Sequence, residues 1–144
     1  MNYEIVELKE KTVVGLSKRT SNEDPSMGSI IGGLWQKLYS PEVVARITGR
    51  TNTYAIGLYS DYDEDGTYEV TTGFEVSDKE YEGCFTIKVI PAGRYAKFSV
   101  HGDMVSAVAD SWNEIWNTPL ERTYTGDFEE YTSMEDIDIY IAIK

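Results

Sequence analysis

The sequence predicts an α+β protein: a duplicated β-α-β-β motif with pseudo-twofold symmetry, antiparallel sheets and a ligand cleft between the two halves. Three observations support this fold class. Alternating apolar runs are typical of strands, two stretches carry apolar residues at helical spacing, and the second half of the chain repeats the pattern of the first. A length of 144 residues fits one domain with its own core. We expect a single domain over residues 1–144, with halves of about 1–78 and 85–144.

The first half begins with strands and continues into a helix. The runs "YEIVELK" (3–9) and "KTVVGLSKRT" (11–20) read as two short strands, and the turn-rich "SNEDPSMG" follows them. From Ser29 the period changes, because Ile30, Ile31, Leu34, Trp35 and Leu38 recur at helical spacing.

A second, short helix and a hairpin complete the first half. "SPEVV" restarts a helix, with Ser40 as N-cap, Pro41 at the first helical position and Gly49 after its end. The long run "TYAIGLYSDYDEDGTYEVTTGFEV" alternates on both sides of the turn dipeptide Asp65-Gly66, which indicates a hairpin.

The second half follows the same order. "GCFTIKVIPAG" and "RYAKFSVHG" read as strands, and Tyr95 and Phe98 are expected in the core. Asp103 is suited to cap a helix whose apolar stripe includes Trp112 and Trp116. "TYTGDFEEYTS" is a further strand, and "IDIYIAIK" ends the chain as an alternating strand with its isoleucines on one side.

Two gapless alignments relate the halves. "GGLWQKLYS" lies over "ADSWNEIWN", and "YAIGLYSDYD" lies over "YTGDFEEYTS", with "SPEVVARITG" as an insertion in the first half. Two such halves are expected to pack about a pseudo-twofold axis, with a cleft at the seam between them. The matched pairs are Trp35 with Trp112, Leu38 with Ile115, Tyr39 with Trp116, Leu58 with Phe128, and Tyr59 with Glu129.

Charge and aromatic content limit the class of ligand. The formal net charge of −12 disfavours direct binding of DNA or RNA, whose phosphates carry the same sign, and it favours cations. Solubility alone is an alternative explanation of the acidic balance. Eleven tyrosines and three tryptophans supply flat apolar faces with polar tips, which suit the wall of a ligand site as well as a core.

Cysteine and histidine are scarce, which excludes several kinds of site. Cys84 is the only cysteine, so an internal disulfide is ruled out, and with a single histidine only carboxylates remain as metal ligands. We expect no metal and no cofactor. The charged N-terminus lacks an apolar signal core, and no run reaches the length of a membrane span. These features indicate a cytoplasmic protein, monomeric or dimeric, without a membrane partner.

The stretch "TGDFEEYTS" contains the most informative alternation. In a strand, Phe128 and Glu130 point to one face, and Glu129 and Tyr131 point to the other. One glutamate therefore shares a face with an aromatic ring. That face is either an ordinary solvent-exposed strand surface or the wall of a pocket, and alternation alone leaves both open.

The motifs together resemble a known family. The helix "GGLWQKLY", the hairpin "YSDYDEDGTYEVTTGFEV", the turn "VIPAGRYAKF", the "FEEY" strand and the final "IDIYIAI" resemble the GyrI-like, AraC-type effector-binding domains, in particular the stand-alone integron-cassette effector-binding proteins. The resemblance implies a small-molecule cleft that accepts lipophilic cations against a buried glutamate and aromatic rings. Many relatives carry a DNA-binding helix-turn-helix, and this chain starts with the first strand of the effector domain, so we expect no DNA-binding module.

The resemblance also implies site residues. The family pattern Phe-Glu-x-Tyr falls on Phe128, Glu129 and Tyr131, which makes Glu129 the candidate ligand-binding carboxylate and Tyr131 its neighbour. Tyr59 matches Glu129 in the repeat and is expected on the opposite wall. A buried carboxylate requires a proton or a positive partner, and a cationic aromatic ligand is such a partner.

Other candidates and functions remain open at this stage. Trp116 and Tyr39 end the two long helices and are candidates to close the cleft, whereas Trp35 and Trp112 are interpreted as core residues. Some relatives hydrolyse cyclopropane-bearing toxins and others inhibit DNA gyrase, so a hydrolase or a protein inhibitor with a protein partner are alternatives to a binding module. No nucleophile–base pair is legible in the sequence.

Overall fold

The computed structural model of the chain describes residues 2–47, 49–77 and 85–144. Gly83 and Cys84, the predicted start of the strand before Pro91, lie outside the described residues. Within them the elements are β1 (Glu4–Leu8), β2 (Lys11–Ser21), α1 (Met27–Leu38), α2 (Pro41–Arg46), β3 (Arg50–Ser60), β4 (Thr67–Val76), β5 (Thr86–Ile90), β6 (Gly93–His101), α3 (Met104–Trp116), β7 (Asp127–Tyr131) and β8 (Asp136–Ile143).

The strands form one curled antiparallel sheet in the order β1-β6-β8-β7-β3-β4-β2-β5. The order reads the same from either end once β1 is exchanged with β5, β2 with β6, β3 with β7 and β4 with β8. A twofold relation between β3 and β7 produces this symmetry. The predicted α+β class and duplicated β-α-β-β motif are therefore confirmed, as β2-α1-β3-β4 and β6-α3-β7-β8. In addition, each half contributes an edge strand that pairs with the other half.

The register of the central strands locates the pseudo-twofold axis. Leu58 of β3 pairs directly with Phe128 of β7, and the repeat alignment matches these same two residues. The axis therefore passes through this pair. Glu129 pairs with Gly57, which is two residues before Tyr59 and on the same face of β3. Tyr59 and Glu129, which the repeat alignment equates, therefore lie close to the axis on one face of the sheet.

Both long helices cover that face. α1 packs on β2 and β4, and α3 packs on β6 and β8, because each presents an apolar stripe to its own half. Under α3, the four isoleucines of β8 line one side as predicted (Ile137, Ile139, Ile141 and Ile143). Tyr131 contacts the apolar clusters under both helices, which places β7 beneath the seam between them.

The opposite, concave face of the sheet holds a second core. Phe128 stacks on Tyr140 with ring centroids 4.6 Å apart, and the buried Tyr95 packs edge-on against Phe128. Phe98 is also buried, on the α3 side, so the expectation that Tyr95 and Phe98 belong to the core is confirmed. Both faces of the central strands are thus covered, which is why residues of β7 are buried on either side.

Local signals also agree with the structure, with one correction. Pro41 begins α2, and Gly66 has the positive φ of 87° that the predicted hairpin turn requires. Ser40 occupies the N-cap position, but its hydroxyl donates to the carbonyl oxygen of Lys37 at 2.7 Å instead of capping α2. Among the described residues, none of the helices is long and apolar enough to cross a bilayer.

Candidate ligand-binding site

The carboxyl group of Glu129 is enclosed on the helix-covered face of β7. The residue is 2% exposed, so the alternative of an ordinary solvent-exposed strand residue is wrong. Three side chains donate hydrogen bonds to it. They are the indole N–H of Trp112 to Oε2 at 2.6 Å, the hydroxyl of Tyr131 to Oε1 at 2.8 Å, and the hydroxyl of Tyr59 to Oε2 at 3.2 Å.

The three donors satisfy the carboxylate without neutralising it. Burial raises the pKa of Glu129 above its ordinary value, and the hydrogen bonds from Trp112, Tyr131 and Tyr59 oppose that rise. Burial also raises the pKa of Tyr59 and of Tyr131, so both phenols remain neutral donors at physiological pH. Within the described part of the chain, no basic side chain pairs with Glu129. An ionised Glu129 is therefore a buried negative charge without a positive partner.

A cavity of about 400 Å³ lies beside this carboxylate, between α1 and α3. Its volume is within the usual range for small-molecule sites. Tyr59 and Trp112 line it with rings 5.5 Å apart, and these same two side chains bond Glu129. The carboxylate thus lies directly behind two rings of the cavity wall. Further walls come from Met27, Ile31, Tyr62, Tyr68 and Trp116.

The residues predicted from the sequence occupy different positions around the cavity. Tyr59 and Trp116 line it, and Trp116 is 52% exposed at its mouth. Glu129 and Tyr131 lie behind the wall and are joined by a hydrogen bond, as expected for neighbours on one strand face. Tyr39 is not part of this wall, because its ring is 57% exposed and stacks on Trp35 with centroids 6.2 Å apart.

The interpretation of Trp112 as a core residue was incomplete. Its ring packs against the apolar cluster under α3, but it also lines the cavity and donates the shortest hydrogen bond to Glu129. The repeat offered a signal, since the aligned Trp35 approaches the same carboxylate from α1. A Cβ built on Gly57 would lie 3.1 Å from Glu129 Oε1 and 3.1 Å from Trp35 Cζ2. Glycine at position 57 therefore leaves room for the carboxylate over β3.

A second buried carboxylate, Asp127, lies two residues earlier on β7 and is neutralised. It is fully buried, and Arg122 Nη2 donates to its Oδ2 at 2.6 Å. The Tyr62 hydroxyl donates to the same oxygen at 2.5 Å, and the backbone N–H of Ala142 donates to Oδ1 at 2.9 Å. Arg122 and Tyr62 line the cavity, although neither was among the site residues predicted from the sequence. Of the two carboxylates, Glu129 is the one without a cationic partner in the described ranges.

The donor set does not favour a metal. In the described ranges, no three side chains of histidine, cysteine, aspartate or glutamate come together as metal ligands would. Glu129 is surrounded by aromatic rings and hydroxyl donors, which suit an organic cation better than a metal ion.

Comparison with known proteins identifies the family. A family model named Cass2, described as an integron-associated effector binding protein, matches residues 4–143. The chain belongs to the Cass2 family. The transcriptional-regulator-like protein YobU of Bacillus subtilis (strain 168) is 32% identical to this Cass2 protein over 97% of this chain and 96% of its own length.

Solved structures agree with the Cass2 assignment. The integron cassette protein VCH_CASS2, from the mobile metagenome of Vibrio cholerae, superposes with a TM-score of 0.81 at 32% identity over 99% of this chain and 95% of its own. SAV2435, solved bound to tetraphenylphosphonium, has a TM-score of 0.82 at 19% identity over 100% of this chain and 94% of its own, a likeness of fold. The predicted resemblance to effector-binding and integron-cassette proteins is confirmed, and membership assigns this Cass2 protein to an effector-binding family.

Proposed function

We propose that this protein captures lipophilic, cationic aromatic molecules in the cavity between α1 and α3, with Glu129 as the counter-charge. One observation carries the proposal: Glu129 is a 2% exposed carboxylate held by three neutral donors, directly behind two rings of a cavity wall. Burying a carboxylate without a positive partner costs several kcal/mol, and a bound cation would offset part of that cost.

The wall of the cavity supports an organic cation in particular. The rings of Tyr59, Trp112 and Trp116 provide electron-rich faces, each of which attracts a nearby cation by about 0.5–2 kcal/mol. The flanking side chains of Met27 and Ile31 offer apolar contact. A flat or propeller-shaped aromatic cation would therefore gain from charge, ring and apolar contacts at once, whereas an anion would face the charge of Glu129.

The net charge and the family are consistent with this proposal. The overall charge of −12 attracts cations over longer distances. The chain belongs to an effector-binding family, and a protein of the same fold, SAV2435, was solved with the cation tetraphenylphosphonium.

Calorimetric titration with tetraphenylphosphonium tests the function. We expect the wild type to bind saturably. In Glu129→Gln, which keeps the shape of the side chain and removes its charge, we expect the affinity to fall by about tenfold or more. Glu130→Gln is the matched control, because Glu130 is the next carboxylate on the same strand and points to the concave face. Equal affinities of the wild type and Glu129→Gln, or no binding to the wild type, would refute the proposal.

A further inference from the structure

The cavity has a second polar end, at Arg122. This side chain lines the cavity close to Tyr62 and Tyr124, whereas Glu129 lies behind the rings of Tyr59 and Trp112. Arg122 bonds Asp127, which shares a strand face with Glu129 two residues along β7. Two residues of a strand span about 7 Å, so the Cα atoms of Asp127 and Glu129 lie on that order apart, and we take this spacing as the guide to ligand length.

Arg122 has hydrogen-bonding capacity that the protein leaves unused. A guanidinium carries five N–H donors. One nitrogen, Nη2, donates to Asp127, while Nε is buried and has no hydrogen-bond partner among the residues that the structure describes. A buried donor without an acceptor is rare in folded proteins and destabilises the free state.

The backbone around Arg122 is paired with β8, and the ring of Tyr124 covers its guanidinium. Residues 122 and 123 pair with the end of β8, since Arg122 bridges to Ile143 and the N–H of Thr123 donates to Ala142 O at 3.1 Å. The ring of Tyr124 lies over the guanidinium, with its centroid 4.4 Å from Arg122 Cζ, and the residue is 55% exposed. The backbone φ of Tyr124 is 57°, in the left-handed region that disfavours tyrosine. For a ligand oxygen to reach this guanidinium, the exposed ring of Tyr124 would have to rotate, while the strand pairing could stay in place.

The charges at this end select the kind of group that Arg122 accepts. Asp127 already offsets the positive charge of Arg122, so a second carboxylate would be repelled by Asp127. A neutral oxygen acceptor, such as an ester, amide or ketone carbonyl, meets no such repulsion. When Glu129 is ionised, the side chains of Arg122, Asp127 and Glu129 together carry one net negative charge. This matches a ligand with a single positive charge.

We propose that Arg122 is a specificity-determining residue that donates to a neutral oxygen acceptor on the same ligand whose cationic group faces Glu129. The ligand class is thus narrowed to aromatic monocations with a carbonyl-type acceptor on the order of 7 Å from the charge. This inference rests on the proposed function and deepens it.

A matched pair of ligands tests the inference. Heptyltriphenylphosphonium has no oxygen, and (4-methoxycarbonylbutyl)triphenylphosphonium has the same number of chain atoms with an ester carbonyl near the required distance. Calorimetry gives the ratio of the affinity for the ester to the affinity for the alkyl ligand in the wild type, in Arg122→Lys and in the double variant Arg122→Met/Asp127→Asn. The double variant removes both charges, so that neither is left buried without its partner. Circular dichroism establishes that each variant is folded.

We expect the ratio to fall about fivefold or more in both variants, as the loss of a hydrogen bond to a charged donor implies. A ratio that stays the same in both folded variants would assign Arg122 a purely structural role and overturn the inference, while binding of the alkyl ligand would leave the proposed function intact. Failure of the wild type to bind either ligand would overturn both. Tighter binding of the corresponding carboxylate than of the ester would contradict the neutral acceptor.

Discussion

Trp112 of α3 and Glu129 of β7 are joined by a hydrogen bond of 2.6 Å, from the indole N–H to Oε2. It is the shortest of the three bonds on this buried carboxylate. The same indole ring lines the cavity, so one side chain both supports the charge and faces the space where a ligand would lie. A change at Trp112 is therefore expected to affect both the stability of the protein and the proposed ligand binding.

Replacing Trp112 with phenylalanine should destabilise the protein. The change keeps an aromatic ring and removes the donor to Glu129, which we expect to lower the free energy of unfolding by about 1–3 kcal/mol at pH 7 in urea unfolding. Trp116→Phe is the control, because Trp116 is 52% exposed and is not a donor to Glu129. An equally large loss in the control would attribute the effect to ring size instead of the hydrogen bond.

Cation affinity should depend on pH through Glu129. Burial raises the pKa of this carboxyl group, so it is protonated over a wider acidic range than an ordinary glutamate. The affinity for tetraphenylphosphonium is expected to rise with pH through the raised pKa and then to level off. The same titration of Glu129→Gln should be flat across this range, and a parallel rise in that variant would show that another group is responsible.

The stability of the protein should respond to pH in the opposite direction. Because the folded-state pKa of Glu129 is raised, the folded state binds more protons than the unfolded state between the two pKa values. The contribution of Glu129 to the free energy of unfolding therefore falls as the pH rises from the pKa of this group in the unfolded state to its pKa in the folded state. We expect the stability of Glu129→Gln relative to the wild type to increase over that window in chemical unfolding. A constant difference would contradict a raised pKa.

Gly15 should be intolerant of any side chain. It pairs with Gly73 where β2 and β4 approach closely, and a Cβ at position 15 would lie 1.9 Å from the carbonyl oxygen of Thr72. We expect Gly15→Ala to reduce the free energy of unfolding by about 3 kcal/mol, measured by thermal unfolding.

The control for Gly15 is a glycine in an open position. Gly32 lies in α1, and a Cβ there meets nothing within 4 Å, so Gly32→Ala should stabilise the protein by about 0.5–1 kcal/mol. If the two alanines had similar effects, the close approach of β2 and β4 would not be the cause.

The sequence alone determined the order of elements, the duplication and the face of the strand on which Glu129 lies. Periods of 2 and 3.6 are local properties, so they can be read along the chain, and the gapless repeat already matched Leu58 with Phe128 at the axis. The pairing of Glu129 with Tyr131 followed from the same alternation.

Only the tertiary structure decided what surrounds that face. Periodicity does not report distances between segments far apart in sequence, so it did not reveal that Trp112 bonds Glu129, that Arg122 neutralises Asp127, or that Tyr39 stacks outside the cavity wall. Those contacts depend on how two helices pack across the seam of one curved sheet. The burial of a charge and the presence or absence of its partner are fixed by that packing, not by the pattern of residues along the chain.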